Sequence, residues 1–409
     1  MVAAPLSTLQ IRIFLLCALI VLLDGYDLQA MGLAVPALGR QWHLPPSAFT
    51  LAQTASLVGL GLGSAFIAPL GDRFGRRPLL LGGLTIILAT SLGAATATGP
   101  AQLALWRLLV GLGLGIGQSN ASALTAEFAP LARRATLMTL MGVCVALGGV
   151  LAGLTAPQVI AAAGAQGLFL VGAALPLLAL LAAAVGLRES PAISTRRGPG
   201  PGGTLVALLR PPYRERTLRL WLLYGLSAML LYFLFSWLPV FLINAGWSPT
   251  RASHGIALLQ FGGIGGSLLQ AWLVDRRRAI SALVLGYGTT VITALLFALP
   301  GSMPSWPVLL VLMGSGVAGV VMSIIALGAI FYPPPIRATG FGWAGAVTRV
   351  GAVLGPLAGG WIIAAGVSSR VTLGLVAVPA LLCIAATVAM RRCVAEADTL
   401  RFNLSKELS

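Results

Sequence analysis

Apolar stretches long enough to cross a hydrocarbon core of about 30 Å, which takes about 20 residues of helix, recur from one end of this chain to the other. No other feature limits the fold so strictly. In lipid every backbone N–H and C=O must find its partner within the protein, so a spanning stretch is either a helix or a strand of a closed barrel. The period-2 alternation of an outer-membrane strand is missing, which leaves helices. Twelve spans are expected, at 11–37, 49–71, 79–98, 101–126, 135–161, 166–187, 217–243, 252–274, 279–299, 306–330, 338–363 and 370–391. Only 9% of the residues are charged, against about 25% in a soluble domain, and the mean hydropathy is +0.95. The fold class is an all-α polytopic membrane protein. Its first span is too long for a signal-peptide core and lacks a small-residue cleavage site, so it is expected to stay in the mature chain.

The net charge of +16 is set by loop arginines, and their placement gives the orientation. With the N-terminus inside, the outer loops hold only Arg40, Arg251 and Arg370, whereas the inner segments hold clusters such as Arg73, Arg76 and Arg77. That bias places both termini in the cytoplasm. The same distribution, spread over short loops without interleaved aromatics, argues against nucleic acid as a partner. Cys17, Cys144, Cys383 and Cys393 lie in or at the end of spans, without metal-ligand spacing, and are expected to be reduced core residues.

The chain repeats itself weakly. EFAPLARRAT at 127–136 aligns with IFYPPPIRAT at 330–339, the offset of 203 that separates Arg134 from Arg337. The same offset carries Gly148, Val150 and Leu151 onto Gly351, Val353 and Leu354, and Asp72 onto Asp275. One constant shift across separated elements implies that six spans were duplicated. An even number keeps both halves in the same orientation, the parallel repeat of a two-bundle transporter. The expected organisation is a six-helix bundle at 1–187, a cytoplasmic linker at 188–216, a second bundle at 217–391 related to the first by a pseudo-two-fold axis, and a cytoplasmic tail at 392–409. The glycine runs GLGLGIG at 111–117 and GAVLGPLAGG at 351–360 read as helix-packing seams.

Ionisable groups inside spans cost about 2.5–3.5 kcal/mol each on insertion scales and mark function by default. Here they are Asp24 and Asp27 in the first span, Arg107 and Glu127 in the fourth, and Arg349 in the eleventh. At 1.5 Å per residue the two aspartates lie roughly 20–24 Å from the inner end of their span, near mid-membrane. Spaced i and i+3, they share a helix face, and two like charges there oppose joint ionisation. A carboxyl able to hold a proton near neutral pH is what a proton-coupled carrier needs; the rival reading is a fixed ion pair with Arg107. Arg349 offers a permanent charge and a planar fork suited to an organic carboxylate, or else an intramembrane salt bridge that opens and closes. Arg107 shares either role. Glu127 lies about 30 Å along the helix from Arg107, at the cytoplasmic face. In the loop GDRFGRRPLL, Gly71 and Gly75 permit a tight turn, and Asp72, Arg73, Arg76 and Arg77 can form charge-assisted contacts. A cytoplasmic gate holding the bundles together is the expected role.

GDRFGRRP at 71–78 resembles the signature loop of the major facilitator superfamily. DGYDLQAMGLAVPAL in span one is similar to the DGFD-type motif of its aromatic acid:proton symporter family. RLLVGLGLGIGQSNASALTAEFAPLARRAT, YFLFSWLPVFL and RATGFGWAGAVTRVGAVLGPLAGG resemble that family's fourth, seventh and eleventh spans. The resemblance implies the major facilitator fold and alternating access. It further implies proton symport of an aromatic carboxylate of the 4-hydroxybenzoate or benzoate type into a bacterial cytoplasm across the inner membrane. On it, Asp24 and Asp27 couple protons, Asp72 and Asp275 belong to the inner gate, and Arg349, Arg107 and Asn120 contact substrate. Tyr26 and Trp343 are expected to stack on its ring, with Tyr232, Trp237 and Phe341 near the cavity. LRESPAI at 187–193 is also similar to sugar porters. The implied partners are protons, lipid and the small acid; the coupling ion is the proton, no cofactor is needed, and a monomer is expected. Alternatives are a proton antiporter exporting a drug or metabolite, a symporter of a non-aromatic acid or sugar, and a transport-dead receptor. An enzyme would need a catalytic constellation, and His43 and His254 stand alone, with no HExxH or GxSxG.

Overall fold

The computed structural model describes residues 6–130, 133–189, 205–211, 213–276, 278–299, 303–332 and 334–391. Most of the expected linker, at 190–204, the tail at 392–409 with Cys393, and Arg277 lie outside the described residues. Among the described residues twelve membrane-length helices are present, in the order the hydropathy implies: α1 Thr8–Trp42, α2 Pro46–Phe74, α3 Arg76–Ala95, α4 Pro100–Phe128, α5 Arg134–Ala163, α6 Gln166–Gly186, α7 Arg214–Asn244, α8 Pro249–Asp275, α9 Ala279–Ala298, α10 Trp306–Phe331, α11 Pro334–Ala364 and α12 Ser369–Ala389. The protein is a multi-pass membrane protein.

Two spans depart from a regular helix where prolines dictate it. In α2 an α-helical stretch, Thr50–Leu62, gives way to a π turn at Gly63–Ile67 and a 3-10 turn at Ala68–Leu70. Pro69 has no N–H to return to the ladder and crowds the carbonyl four residues back. In α12 the helix is interrupted at Val376, three residues before Pro379. Helix ends at the N-terminal face are closed by side chains from neighbouring helices. Ser7 and Gln10 form a capping box on α1, and the Gln10 amide also donates to the Phe128 carbonyl at the end of α4, at 3.1 Å. Arg12 donates to the Gly186 carbonyl at 2.7 Å, satisfying the orphan end of α6.

Chain contacts divide the molecule into two compact units. One holds α1 to α6 together with Phe235–Gln260 and Pro356–Gly366; the other holds the remainder of the second half. The division therefore runs through α7, α8 and α11 instead of between them. In the first unit the Trp42 end of α1 abuts the α7 carbonyls of Phe235 and Ser236 at Gly32, and Gly153 of α5 abuts Ser253 and Ala257 of α8.

The glycine runs are packing seams, as expected. Gly111 and Gly115 of α4 lie against the α2 carbonyls of Ser56 and Leu60, with no room for a β-carbon. Close backbone approach of this kind replaces the hydrophobic effect, which is absent between helices in lipid. The internal repeat is legible in three dimensions too. Gly148 of α5 packs on the Leu22 carbonyl of α1, and Gly351 of α11 packs on the Gly225 carbonyl of α7. Both partners differ by 203 positions, the offset read from the sequence. Each unit has an apolar core, one around Ile13, Cys17, Leu84 and Leu114, the other around Leu220, Tyr287, Ile324 and Cys383. Cys17, Cys144 and Cys383 are free thiols.

Candidate functional site

The DGYD stretch lies where α1 meets α5. A β-carbon at Gly25 would collide with the Val145 carbonyl, so glycine here lets the two backbones touch and fixes which way the flanking aspartates face. Asp24 and Asp27 are both buried, and their surroundings differ.

Asp27 is held by Arg107 of α4. The guanidinium donates to both carboxylate oxygens, each at 2.7 Å, and to the Asp27 carbonyl at 3.4 Å. Arg107 is 1% exposed, and its guanidinium carbon lies 6.0 Å from the centre of the Phe169 ring of α6. Gly172 of α6 lies beside the same carboxylate. This is a bidentate, charge-assisted pair packed within the first unit. Arg107 is thus paired with an aspartate of α1 in this structure.

Asp24 accepts a hydrogen bond from a neutral group. The Gln118 amide of α4 donates to its carboxylate at 2.6 Å, and Gln118 is only partly buried. An amide can donate to a carboxylate or, turned over, accept from a carboxylic acid. Asp24 therefore keeps a hydrogen-bond partner in either protonation state, whereas protonating Asp27 would strand a buried guanidinium.

Further along α1, Gln29 is fully buried with neither amide atom hydrogen-bonded, and the Gln53 amide of α2 is likewise unmet. Tyr26, three residues before Gln29 on α1, is also buried. Asn120, expected among the substrate contacts, is hydrogen-bonded on both amide atoms. Its Nδ2 donates to the carbonyls of Ile116 at 2.9 Å and Ala68 at 3.3 Å, and its Oδ1 accepts from Arg76 at 3.2 Å. It thereby links α4 to the end of α2 and the start of α3.

In the loop between α2 and α3 Arg76 is the hub. It pairs with Asp72 at 2.6 Å and Glu127 at 3.5 Å, besides Asn120. Gly71 is required because a β-carbon would strike the Asn120 side chain, and Gly75 because its φ is +107°. Glu189, just beyond α6, accepts from the backbone N–H of Arg76 at 2.9 Å and of Arg77 at 3.2 Å, capping α3 where the helix dipole favours an anion. Arg77 donates to the Ala184 carbonyl at 2.7 Å. Arg73 lies over the Phe74 ring. These contacts tie the ends of α2, α3, α4 and α6 together inside the first unit.

In the second unit Arg349 is half-buried on α11, Trp343 is 41% exposed with its ring 6.1 Å from that of Trp221, and Asp275 is exposed at the end of α8. Trp237 is a packing residue: its indole N–H donates to the Pro356 carbonyl at 2.9 Å, and Gly359 lies against the ring. Gln118 and Glu189 are absent from the sequence-derived set. Gln118 follows the GLGLGIG seam directly, and a polar QSN triplet after four alternating glycines was the available signal. Glu189 caps a helix more than a hundred residues away, for which no local signal exists.

The comparisons with known proteins agree with this architecture. The family model described as Major Facilitator Superfamily matches residues 17–334. The chain is 33% identical to the 4-hydroxybenzoate transporter PcaK of Pseudomonas putida, covering 92% of both. It is 31% identical to the gallate transporter of the same organism, covering 92% of this chain and 90% of that one. With the 3-(3-hydroxy-phenyl)propionate transporter of Escherichia coli K12 it shares 32% over 89% of each. Among solved structures it is similar to the nucleoside transporter NupG, with a TM-score of 0.74 at 17% identity over 94% of this chain and all of that one. It also superposes on a D-xylose-proton symporter, with a TM-score of 0.70 at 17% identity over 93% and 97%.

Proposed function

The chain belongs to the major facilitator superfamily, and on that premise we propose that it is a proton-coupled symporter carrying a small aromatic carboxylate into a bacterial cytoplasm, with both termini on the cytoplasmic side. It is a transporter, not an enzyme, and carriers of this type need no cofactor. The substrate class is supported by the relatives, which are named for 4-hydroxybenzoate, gallate and 3-(3-hydroxy-phenyl)propionate.

The observation that carries the coupling is the contrast between the twin aspartates. Asp27 is neutralised by Arg107, while Asp24 sits on the Gln118 amide. In this reading Asp24 takes up and releases the proton, the Asp27–Arg107 pair is a fixed neutral element, and Arg349 supplies the counter-charge for the substrate carboxylate. Tyr26 and Trp343 stack on its ring, and Gln29 meets a polar substituent. Asn120, Glu127, Asp275 and the Gly71–Arg77 loop form the cytoplasmic gate.

Charge counting then explains obligatory coupling. In the empty carrier, ionised Asp24 balances Arg349. In the loaded carrier, Asp24 is protonated and the substrate anion balances Arg349. A carrier loaded with only one of the two would expose an unbalanced charge to a low-dielectric interior, which is expensive. Only the empty and fully loaded forms reorient.

The test is uptake into proteoliposomes under an imposed pH gradient, with labelled 4-hydroxybenzoate, benzoate and an aliphatic acid. Asp24→Asn is expected to lose uphill accumulation and keep counterflow exchange. Accumulation that survives Asp24→Asn removes it as the proton site, and accumulation only when the gradient is reversed identifies an exporter.

A further inference from the structure

At the Trp42 end of α1, the end away from the Gly71–Arg77 loop, a cavity of about 150 Å³ opens among α1, α5, α7 and α8, wholly within the first unit. Its walls include Leu33, Pro36, Ile160, Pro239 and Ile243, and Arg40 is part of the lining. We infer that this cavity is a second binding site for an aromatic monocarboxylate, separate from the transport site, and that filling it slows transport. The ligand class rests on the proposed function.

Three observations lead there. Size is the first: an apolar cavity of about 150 Å³ takes up one benzene ring, so the space is that of a single six-membered ring. Rigidity is the second. Pro36 and Pro239 are helix-interior prolines, and their closed rings have no rotamer freedom to lose when a ligand packs on them. Charge is the third. Arg40 forms no ion pair with a carboxylate among the described residues. Its planar fork matches a carboxylate, at the margin of a wall that matches the ring.

The effect on transport follows from where the walls come from. Leu33, Pro36 and Ile160 belong to the first sequence half, Pro239 and Ile243 to the second, and these helix ends must part when the carrier opens on this face. A ligand that requires all of them binds the closed arrangement alone and shifts the population toward it. Coupling of this kind is reciprocal, so opening of this face expels the ligand.

Equilibrium dialysis of labelled benzoate and 4-hydroxybenzoate against the purified chain is expected to resolve two sites. Arg40→Gln should weaken one of them by about tenfold or more, the loss expected of a hydrogen bond to a charged group. Ala161→Trp, a substitution at an exposed wall position, should remove the same site by filling it. Arg40→Gln should leave uptake at low external concentration unchanged, whereas Ala161→Trp, which fills the cavity permanently, should lower it. Arg349→Gln should remove the other site. In proteoliposomes, uptake by the parent protein should rise and then fall with external acid, while Arg40→Gln and Ala161→Trp should saturate without the fall. One site alone, lost in Arg349→Gln and indifferent to Arg40→Gln and Ala161→Trp, overturns the second site and leaves the transport reading standing; a cavity filled by a lipid chain gives that result. Two sites of which Arg349→Gln touches neither supports the cavity and overturns Arg349 as the anchor. No binding of either acid overturns both.

Discussion

At the scale of single residues, the informative fact is that two carboxylates three positions apart have been given opposite environments. The Asp27–Arg107 pair is buried on both sides, so removing one partner leaves a stranded charge, which costs about 3–5 kcal/mol. Asp27→Asn should therefore lower the thermal unfolding midpoint sharply, and Asp27→Asn with Arg107→Gln should recover most of it. Asp24→Asn should stay within about 1 kcal/mol of the parent, because Gln118 can bond an amide as well as an acid. Equal losses from the two single substitutions, read by thermal unfolding in detergent, would contradict the division of roles. Arg349→Lys is expected to raise KM for the aromatic acid about tenfold, since an ammonium keeps the charge but loses the planar fork; an unchanged KM removes the anchor role.

Between helices, stability is a matter of how closely backbones approach. Gly148 and Gly351 make the same contact in the two halves, each on a carbonyl of the helix four spans earlier in its own half. A β-branched side chain at either site must push the helices apart. Gly148→Val and Gly351→Val should each destabilise by about 1–3 kcal/mol or more, whereas Gly82→Ala, with nothing near its β-position, should be neutral or slightly stabilising by helix propensity. Equal tolerance at all three positions in a thermal-shift assay would mean that the seams are not close-packed. The same offset shows what was not duplicated. Ser227 stands where Asp24 has its counterpart and Leu310 where Arg107 has its own. Ser227 bonds the Tyr287 hydroxyl at 2.6 Å in an uncharged buried contact. The halves share a scaffold, and the intramembrane carboxylates belong to the first alone.

For the whole carrier, the number of titrating groups sets the driving force. If Asp27 stays paired and Asp24 alone cycles, one proton enters with each monovalent anion and no net charge moves. Only the pH gradient then drives accumulation, at about 1.36 kcal/mol per pH unit. A potassium diffusion potential imposed with valinomycin should leave the accumulation ratio unchanged. A ratio that rises with an inside-negative potential, by an amount corresponding to about 2.3 kcal/mol per 100 mV, would show that two protons enter and that Asp27 releases Arg107 during the cycle.

Much of this was legible in the chain itself. Twelve spans, their order and the duplication follow from hydropathy and one constant offset, because lipid allows a backbone only one economical way across. The rarity of ionisable residues in apolar spans was enough to single out Asp24, Asp27, Arg107 and Arg349, since each is costly there and persists for a reason. Pairing was not legible. That Arg107 meets Asp27 and not Asp24, that Asn120 bonds Arg76 and the Ala68 carbonyl, that Glu189 caps α3, and that α7, α8 and α11 each divide between two compact units depend on how helices rotate and cross. Helix rotation about its own axis is decided by glycine seams and proline breaks acting between segments distant in sequence. Periodicity within a segment reports which face is apolar; which partner that face meets is fixed only when the segments pack.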